Sequence, residues 1–178
     1  MLIGLYGDSR AGKDSTARII SDYKNYKWRV FASTLRQILL DINPYLPEIH
    51  RHLRSAVVEN GWDVVKGLSE SSVDMMIALG QSARDLIDPD IWIIPILSGV
   101  DPSENIVISD VRQENEYNAV TALGGEVWRI VRPGTKRRGM DGLLDHCDFP
   151  VTIHNNGSLA DLETIVKKEM DALSNRRN

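Results

Sequence analysis

Short apolar runs alternate with amphipathic stretches along most of this chain. The first run, Leu2–Tyr6, ends at a glycine and predicts a buried strand. Further runs predict strands at Trp28–Ala32, Asn105–Ser109, Glu126–Val131 and Val151–His154. Because strands that alternate with helices form a parallel sheet covered on both faces, the pattern predicts an α/β, three-layer fold with about five parallel strands.

Between these runs, apolar residues recur at helical spacing. They predict helices at Gly12–Tyr23, from Ser33 to the prolines at 44 and 47, at Gln113–Leu123 and at Leu159–Leu173. Residues 49–97 contain no convincing strand. The segments with a helical pattern there are Arg51–Asn60, Ser71–Ile87 and Asp90–Leu97, the last weakened by Pro95. We therefore expect one domain over residues 1–178, with a helical insertion at about residues 33–98.

Composition and charge narrow the functional classes. The apolar runs are shorter than the ~20 residues of a membrane span, and the N-terminus has no basic segment with a cleavage site, so we expect neither a membrane partner nor secretion. The lone Cys147 cannot form an internal disulfide and fits a reducing cytoplasm. The formal charge of −4 argues against a nucleic-acid polymer as partner, whereas a small anionic substrate needs only a local cluster of Arg and Lys.

A phosphate-binding loop is predicted directly after the first strand. The segment Gly7-Asp-Ser-Arg-Ala-Gly12-Lys13 has the spacing G-x-x-x-x-G-K of a P-loop, or Walker A motif. Its glycines let backbone N–H groups point at phosphate oxygens, and Lys13 is expected to reach the β- and γ-phosphates of ATP. A glycine-rich turn that binds no nucleotide is the alternative. The residues predicted to bind ATP are Gly7, Arg10, Ala11, Gly12, Lys13, Asp14 and Ser15, with Arg132 from a later loop.

Candidate Mg²⁺ ligands lie beside this loop. The residue after the lysine is normally Ser or Thr, whose hydroxyl binds the metal, and here it is Asp14. A carboxylate is a good Mg²⁺ ligand but lies close to anionic phosphates, and Ser15 offers a hydroxyl one residue later, so both remain candidates. Asp110 ends a predicted strand, as a Walker B acid does; capping the next helix is its alternative role.

The four histidines have no zinc-site spacing, among themselves or with Cys147.

Five short sequence motifs resemble those of a known protein family. In chain order they are Gly12-Lys-Asp-Ser, Gly61-Trp-Asp, Gly80-Gln-Ser-Ala-Arg84-Asp, Asp110-Val-Arg112-Gln-Glu-Asn115-Glu116 and Asn155-Asn-Gly-Ser-Leu. Together they are similar to the deoxynucleoside monophosphate kinases best represented in phages. The resemblance implies a P-loop kinase fold, ATP with Mg²⁺ as donor and deoxynucleoside monophosphates as acceptors. It also implies the host cytoplasm as location if the chain is phage-encoded, and it is compatible with a homodimer.

Arginines and aromatic residues are expected to bind the acceptor. Arg112 has a planar fork that suits an acceptor phosphate, and the resemblance favours this role over a surface salt bridge on its own helix. Arg84, in the helical insertion, is a second candidate for that phosphate, with structural pairing to nearby carboxylates as the alternative. The resemblance adds Arg36. Phe31 and Trp92 are candidates for stacking on a base, although core packing is the more frequent role of such rings.

A basic loop at about residues 132–145 completes the predicted site. It contains Arg132, Lys136, Arg137 and Arg138 among turn-forming residues, which is typical of a cover that closes over a polyphosphate and excludes water. A solvated basic loop is the alternative. Arg132 and Arg138 bracket the loop and are expected to contact phosphate. The predicted catalytic set is therefore Lys13, Asp110, Arg112 and Arg138.

The sequence thus predicts an ATP-dependent deoxynucleoside monophosphate kinase that works by in-line transfer. Another small-acceptor kinase remains open, such as a phosphomevalonate or dephospho-coenzyme A kinase, because phosphomevalonate kinases share the Gly-Lys-Asp loop. A non-catalytic NTP sensor is a third interpretation, which the acceptor-side arginines disfavour. A GTPase is disfavoured because the chain has no Asn-Lys-x-Asp motif. The accepted bases, and the choice between ribose and deoxyribose, stay open.

Overall fold

The computed structural model describes residues 1–101, 103–135, 137 and 141–177. In chain order its elements are β1 (Leu2–Tyr6), α1 (Lys13–Lys24), β2 (Lys27–Arg29), α2 (Ser33–Ile42), β3 (Tyr45–Leu46), a 3-10 helix (Pro47–Ile49), β4 (Arg51–His52), α3 (Leu53–Asn60), α4 (Trp62–Leu68), α5 (Glu70–Leu86), α6 (Ile94–Leu97), β5 (Ile106–Ile108), α7 (Glu114–Ala122), β6 (Glu126–Val131), β7 (Val151–His154) and α8 (Leu159–Arg177). Two compact units result. The sheet unit consists of Met1–Phe31 and the chain from Ile96 onward, and the helical unit is Ala32–Pro95.

A parallel sheet in the order β2-β5-β1-β6-β7 forms the centre of the sheet unit. Strand β1 lies in the middle, with Leu2 paired to Ile106 of β5 and Ile3 paired to Glu126 of β6. All its residues are buried, as expected for an apolar run in a parallel sheet. Because the strands are parallel, their carboxyl ends lie at the same edge of the sheet. The segments that follow β1, β5, β6 and β7 are therefore brought together there.

Helices cover the two faces of this sheet. Side chains alternate along β1, so that Ile3 and Leu5 join the apolar core that contains residues of α1 and α8, including Ile20 and Val166. Gly4 faces the other side, towards Val120 of α7. The α/β fold with a five-stranded parallel sheet, predicted from the sequence, is confirmed in the described part of the chain. Among the described residues, no helix is both long enough and apolar enough to cross a bilayer.

The helical unit has a core of its own. It is built from α2 to α5 and the residues beyond α5, with buried side chains that include Leu39, Leu53, Val65 and Trp92. The indole Nε1 of Trp92 donates a hydrogen bond to the carbonyl of Gly80 at 3.0 Å, so the polar atom of this buried ring is satisfied. The bounds of the unit differ by a few residues from the predicted insertion at 33–98.

Several sequence expectations for the elements were wrong in detail. The segment 49–97 was expected to have no strand, but Arg51–His52 pairs with Tyr45–Leu46 as a short antiparallel hairpin. The predicted strand Trp28–Ala32 is instead Lys27–Arg29, and the predicted helix Asp90–Leu97 is reduced to Ile94–Leu97. Helix α4 was not predicted. Two-residue strands and one- or two-turn helices are too short to show a hydrophobic period.

Burial of Leu5 in the central strand predicts a large stability loss on truncation. Leu5 is 0% exposed, so Leu5→Ala should lower the free energy of unfolding by about 2–5 kcal/mol through lost burial and the cavity left behind. Leu123→Ala is the matched control, because Leu123 is 58% exposed and should change stability by less than about 0.5 kcal/mol. Urea unfolding followed by circular dichroism measures both. Equal effects of the two substitutions would contradict the position of β1 in the core.

Candidate active site

The loop between β1 and α1 wraps tightly because glycines stand where the backbone meets other groups. A Cβ on Gly7 would lie 2.2 Å from the carbonyl oxygen of Ile130 in β6. Gly12 has φ +106°, and a Cβ there would lie 2.5 Å from the side-chain nitrogen of Asn155. Side chains larger than hydrogen would therefore displace the neighbouring strands or the loop itself. The local geometry is that of a backbone turn leading into the N-terminus of α1, where N–H groups bind anions.

Asn155, directly after β7, supports this loop. Its side chain is buried, and its Nδ2 donates a hydrogen bond to the carbonyl of Ala11 at 2.8 Å. Its backbone N–H donates to the carbonyl of Val131 at the end of β6. Asn155 belongs to one of the phrases that carry the family resemblance, but no site role was predicted for it. A polar residue at a strand end is the only sequence signal, because its partner lies more than a hundred positions away.

Lys13 carries the principal charge of the loop. Its ammonium donates hydrogen bonds to the carbonyls of Gly7 at 2.6 Å and Asp8 at 2.9 Å, and the residue is only 8% exposed. Burial lowers the pKa of Lys13 from 10.5 to about 8, and the positive charge of Arg112 lowers it further. Asp141, Asp14 and Asp110 act in the opposite direction, which shows that these carboxylates lie near the ammonium group.

Asp110 and Arg112 follow β5 and lie beside the phosphate-binding loop. The N–H of Val111 donates to the carbonyl of Leu5, so this segment continues alongside β1. An oxygen of Asp110 accepts a hydrogen bond from the N–H of Phe31 at 2.8 Å. The alternative role of Asp110 as a helix cap is wrong, since Gln113 is the N-cap residue of α7.

Arg112 is held from both sides. Its backbone N–H donates to Oε2 of the buried Glu116 at 2.7 Å, as part of the capping box at the start of α7. Its guanidinium donates to Asp141 at 3.0 Å. The salt-bridge partner given by the structure is thus Asp141, a residue 29 positions away, whereas Glu116 binds the backbone. The positive charge of Arg112 acts on Lys13, and the predicted contact of Arg112 with an acceptor phosphate stays a prediction.

The oxygen atoms around Lys13 suit a magnesium ion. Asp14 is exposed and Ser15 is half-buried in the first turn of α1. The negative charges of Asp14 and Asp110 both act to raise the pKa of Lys13. In the described residues there is no cluster of His, Cys, Asp and Glu that would surround a metal by itself. Magnesium is usually held by one or two carboxylates, with phosphate and water oxygens as its other ligands. The donor chemistry fits such an ion.

Residues from the predicted basic loop lie against the phosphate-binding loop. The hydroxyl of Thr135 donates to a carboxylate oxygen of Asp8 at 3.3 Å, and Nε of Arg137 lies 3.8 Å from the other oxygen. Arg132 is exposed at the end of β6. Lys136 and Arg138 lie outside the described residues, so the predicted catalytic role of Arg138 stays a prediction. The sequence predicted phosphate contacts for Arg132 and Arg138 but not for Arg137. The ion pair of Arg137 with Asp8 places its guanidinium at the phosphate-binding loop.

The segment after this basic loop is anchored to β1. The hydroxyl of Tyr6 donates to Asp145 at 3.0 Å, and Arg129 and Arg137 also bind that carboxylate. Burial and the bond to Asp145 raise the pKa of Tyr6 to about 12, so the phenol remains neutral. The Tyr6 ring stacks on Phe149, with centroids 5.2 Å apart. These contacts fix residues 141–149 next to the end of the central strand.

Two arginines predicted to bind the acceptor lie in the helical unit. Arg36 is on α2, and its guanidinium carbon lies 6.0 Å from the centre of the Trp62 ring. Its Nε is buried and has no hydrogen-bond partner. Arg84 is on α5, and its guanidinium lies close to Gly80, which also faces Leu35 of α2. Since a buried donor without a partner is costly, the Nε of Arg36 suits an oxygen acceptor supplied by a ligand.

The aromatic residues predicted to stack on a base are in apolar cores. Phe31 is 1% exposed, and Trp92 is 3% exposed in the core of the helical unit. This is the core role that the sequence left open, and neither ring presents a free face in the structure. Trp62 is the half-buried aromatic residue next to Arg36. The sequence predicted no binding role for Trp62, which belongs to the Gly61-Trp-Asp motif of the family resemblance.

A groove of about 360 Å³ extends from the first turn of α1 between α1 and α8. Ser15 lies at the end nearest to the phosphate-binding loop, and Ile19 and Leu159 give the groove apolar walls. Arg18, Glu163 and Lys167 add charged groups to its lining. The groove therefore combines an apolar surface with polar edges next to a loop that is suited to phosphate.

No protein-family model matches the chain, and no curated protein matches its sequence. Among solved structures, dephospho-CoA kinase from Campylobacter jejuni is similar, with a TM-score of 0.50 and 14% identity over 99% of this chain and 98% of that chain. Shikimate kinase from Aquifex aeolicus vf5 has a TM-score of 0.48 and 9% identity over 98% of both chains. The first likeness shows the fold, which is the P-loop kinase fold. The resemblance to deoxynucleoside monophosphate kinases remains a prediction.

The lowered pKa of Lys13 predicts a pH-dependent affinity for nucleotide phosphates. A bound anion raises the pKa of Lys13, so binding is favoured by the protonated form and weakens as pH rises above the free value of about 8. We expect the affinity for the non-hydrolysable ATP analogue AMPPNP with Mg²⁺ to be constant near pH 7 and then to fall by up to about tenfold per pH unit. Calorimetric titration from about pH 7 to about pH 9.5 measures it.

Lys13→Arg is the control for this profile, because a guanidinium keeps its charge throughout the range. Its affinity is expected to be lower than that of the wild type but flat with pH. A flat wild-type profile, or the same slope in both proteins, would contradict the assignment of the titrating group to Lys13.

Proposed function

We propose that this protein transfers the γ-phosphate of ATP to a deoxynucleoside monophosphate and produces the diphosphate. The observation that carries the proposal is the buried ammonium of Lys13, enclosed by the loop at the end of β1 and flanked by Asp110 and Arg112. Phosphoryl transfer requires little covalent chemistry from the protein, so that positioned positive charge is its main contribution. The P-loop kinase fold supports the class of phosphotransferase, and the family resemblance supports the acceptor.

The donor is bound by the sheet unit. Backbone N–H groups of the loop and the N-terminus of α1 receive the phosphates, and Lys13 exchanges its carbonyl partners for β- and γ-phosphate oxygens. The adenosine part extends along the groove between α1 and α8, past Ser15 towards Ile19 and Leu159. An apolar wall with polar edges suits a flat base and a ribose. Arg132 and Arg138 are proposed to contact the phosphates, as expected from the sequence.

Asp110, with Ser15 or Asp14, is proposed to hold Mg²⁺, which offsets negative charge on the phosphates when it is bound. Asp110 accepts a hydrogen bond from the N–H of Phe31, which helps to orient its carboxylate beside the phosphate-binding loop. Arg112 neutralises the phosphoryl group as it moves between the two substrates. Its backbone is fixed by Glu116, so the guanidinium starts from a defined position.

Arg84, Arg36 and Arg112 are proposed to bind the acceptor, as expected from the sequence. The unpartnered Nε of Arg36 gains a hydrogen bond when an acceptor oxygen is present, and Trp62 keeps the guanidinium in place by stacking. A phosphate acceptor is already ionised at neutral pH and needs no general base.

A dephospho-CoA kinase-like activity is the second candidate, because the structure with a TM-score of 0.50 is a dephospho-CoA kinase. At 14% identity that likeness shows the fold alone. A hydroxyl acceptor would have to lose a proton to a carboxylate near Lys13. The two candidates therefore differ in whether a general base is needed and are separated by the choice of acceptor.

An acceptor panel tests the reaction. ADP release with Mg-ATP is measured against the common deoxynucleoside and ribonucleoside monophosphates, phosphomevalonate, dephospho-coenzyme A and an acceptor-free control. We expect stimulation by one or more deoxynucleoside monophosphates, and a loss of at least about 10³-fold in Lys13→Ala with the fold retained. Turnover with another acceptor only would contradict the proposed deoxynucleoside monophosphate acceptor and identify a different substrate class. Full activity in Lys13→Ala would overturn the kinase proposal.

Arg36→Ala tests the acceptor side. Because Arg36 is proposed to touch only the acceptor, its removal should raise the KM for the deoxynucleoside monophosphate by about tenfold or more and leave the KM for ATP unchanged. Arg51→Ala is the matched control, since Arg51 lies in the same unit with a half-exposed side chain that pairs with Glu59. An equal effect of both substitutions, or an effect on ATP alone, would contradict the role of Arg36. Initial-rate kinetics with each substrate varied provide the measurement.

A further inference from the structure

The carboxylate of Asp141 lies inside the phosphate-binding region. Its side chain is only 1% exposed. One oxygen accepts a hydrogen bond from the backbone N–H of Ser9, within the loop, at 2.8 Å. The other oxygen accepts one from the guanidinium of Arg112 at 3.0 Å. Asp141 also raises the pKa of Lys13, so it lies close enough to act on that ammonium group.

These partners are the ones that the proposed function assigns to phosphate. A P-loop N–H, a guanidinium and a buried ammonium form the usual surroundings of a nucleotide phosphate. A carboxylate has two oxygens on one carbon and a negative charge, so it binds such donors in the manner of part of a phosphate group. Since the N–H of Ser9 and the guanidinium of Arg112 already bind Asp141, a phosphate oxygen reaches these two donors only after the carboxylate has moved away.

We propose that Asp141 is an internal competitor for nucleotide phosphate, an autoinhibitory carboxylate that occupies the loop until ATP displaces it. The inference rests on the proposed binding of ATP phosphates by this loop. Two like charges within hydrogen-bonding distance of one another in a buried site repel strongly. The loop therefore holds either Asp141 or phosphate, and the two occupants exchange.

The surrounding contacts explain how Asp141 stays near the loop. Leu144 is fully buried, and Asp145 binds Tyr6, Arg129 and Arg137. Leu144 and Asp145 follow Asp141 by three and four positions, and their contacts anchor this segment to the end of β1. The tether keeps the carboxylate at a high effective concentration next to Ser9, which lets a single charge compete with a polyphosphate.

Displacement has a direct consequence for affinity. When a fraction of molecules holds Asp141 in the loop, the apparent dissociation constant for ATP equals the intrinsic constant divided by the remaining, competent fraction. Displacement also frees the guanidinium of Arg112 for a phosphate oxygen. Arg112 is thus neutralised while Asp141 is in place and becomes available once Asp141 leaves.

A purely structural role of Asp141 predicts the opposite sign. If the carboxylate only oriented Arg112 for the substrate, its removal would disorder the guanidinium and weaken phosphate binding. If Asp141 competes with phosphate, its removal strengthens binding. The sign of the change in affinity therefore separates the two roles.

Calorimetric titration of Mg-AMPPNP into the full chain tests the inference. Asp141→Asn removes the charge and keeps the size, and Asp141→Ala removes the hydrogen-bond acceptor as well. Asp148→Asn is the matched control, because it removes the same charge from an exposed position of the same segment. We expect both Asp141 variants to bind about five- to tenfold more tightly than the control, which corresponds to Asp141 occupying the loop in about 80–90% of wild-type molecules.

Each other outcome is decisive. Affinities of the Asp141 variants that are equal to or weaker than that of the control overturn the inference and leave the proposed function intact, since the nucleotide still binds. Binding by none of the proteins, including the wild type, overturns the proposed function and the inference together. Should Asp141→Ala fail to fold, as judged by circular dichroism, Asp141→Asn alone decides the sign.

Discussion

The ammonium group of Lys13 is the element on which the rest of the site depends. Its ammonium donates hydrogen bonds to two carbonyls of its own loop, and burial lowers its pKa to about 8, so holding the charged group there costs free energy. An anion that enters the loop relieves that cost by restoring a favourable charge partner. The glycines that let the loop close on Lys13, and the contact from Asn155 to Ala11 that supports it, serve the same requirement.

The sheet topology decides which residues surround that ammonium. Because β5, β1, β6 and β7 are adjacent and parallel, the segments after their carboxyl ends meet at one edge. Asp110 and Arg112 follow β5, the basic loop follows β6, and Asn155 follows β7. Each contributes one element of a phosphate site: an oxygen donor for a metal ion, positive charge, or support for the loop. A single folding pattern therefore assembles groups that are distant along the chain.

Charges of both signs lie around the loop in the described structure. The cations include Lys13, Arg112 and Arg137, and the anions include Asp8, Asp110 and Asp141. Such a balance offsets the cost of burying the ammonium of Lys13. It also means that a ligand must exchange partners rather than simply add to them. The helical unit has a simpler arrangement, with Arg36 next to Trp62 and a buried donor that has no partner.

Sequence alone determined the elements with a strong local signal. Strands β6 and β7 have the predicted bounds, and α2 and α8 begin at the predicted residues, because their apolar periods are long enough to be read. The spacing of Gly7, Gly12 and Lys13 predicted the loop, since close backbone approach is possible only at glycine. Tertiary structure decided the short hairpin of β3 and β4, the burial of Phe31 and Trp92, and the contacts of Asn155 with Ala11 and of Asp141 with Arg112. These depend on strand order and packing between distant segments, which no local period or motif encodes.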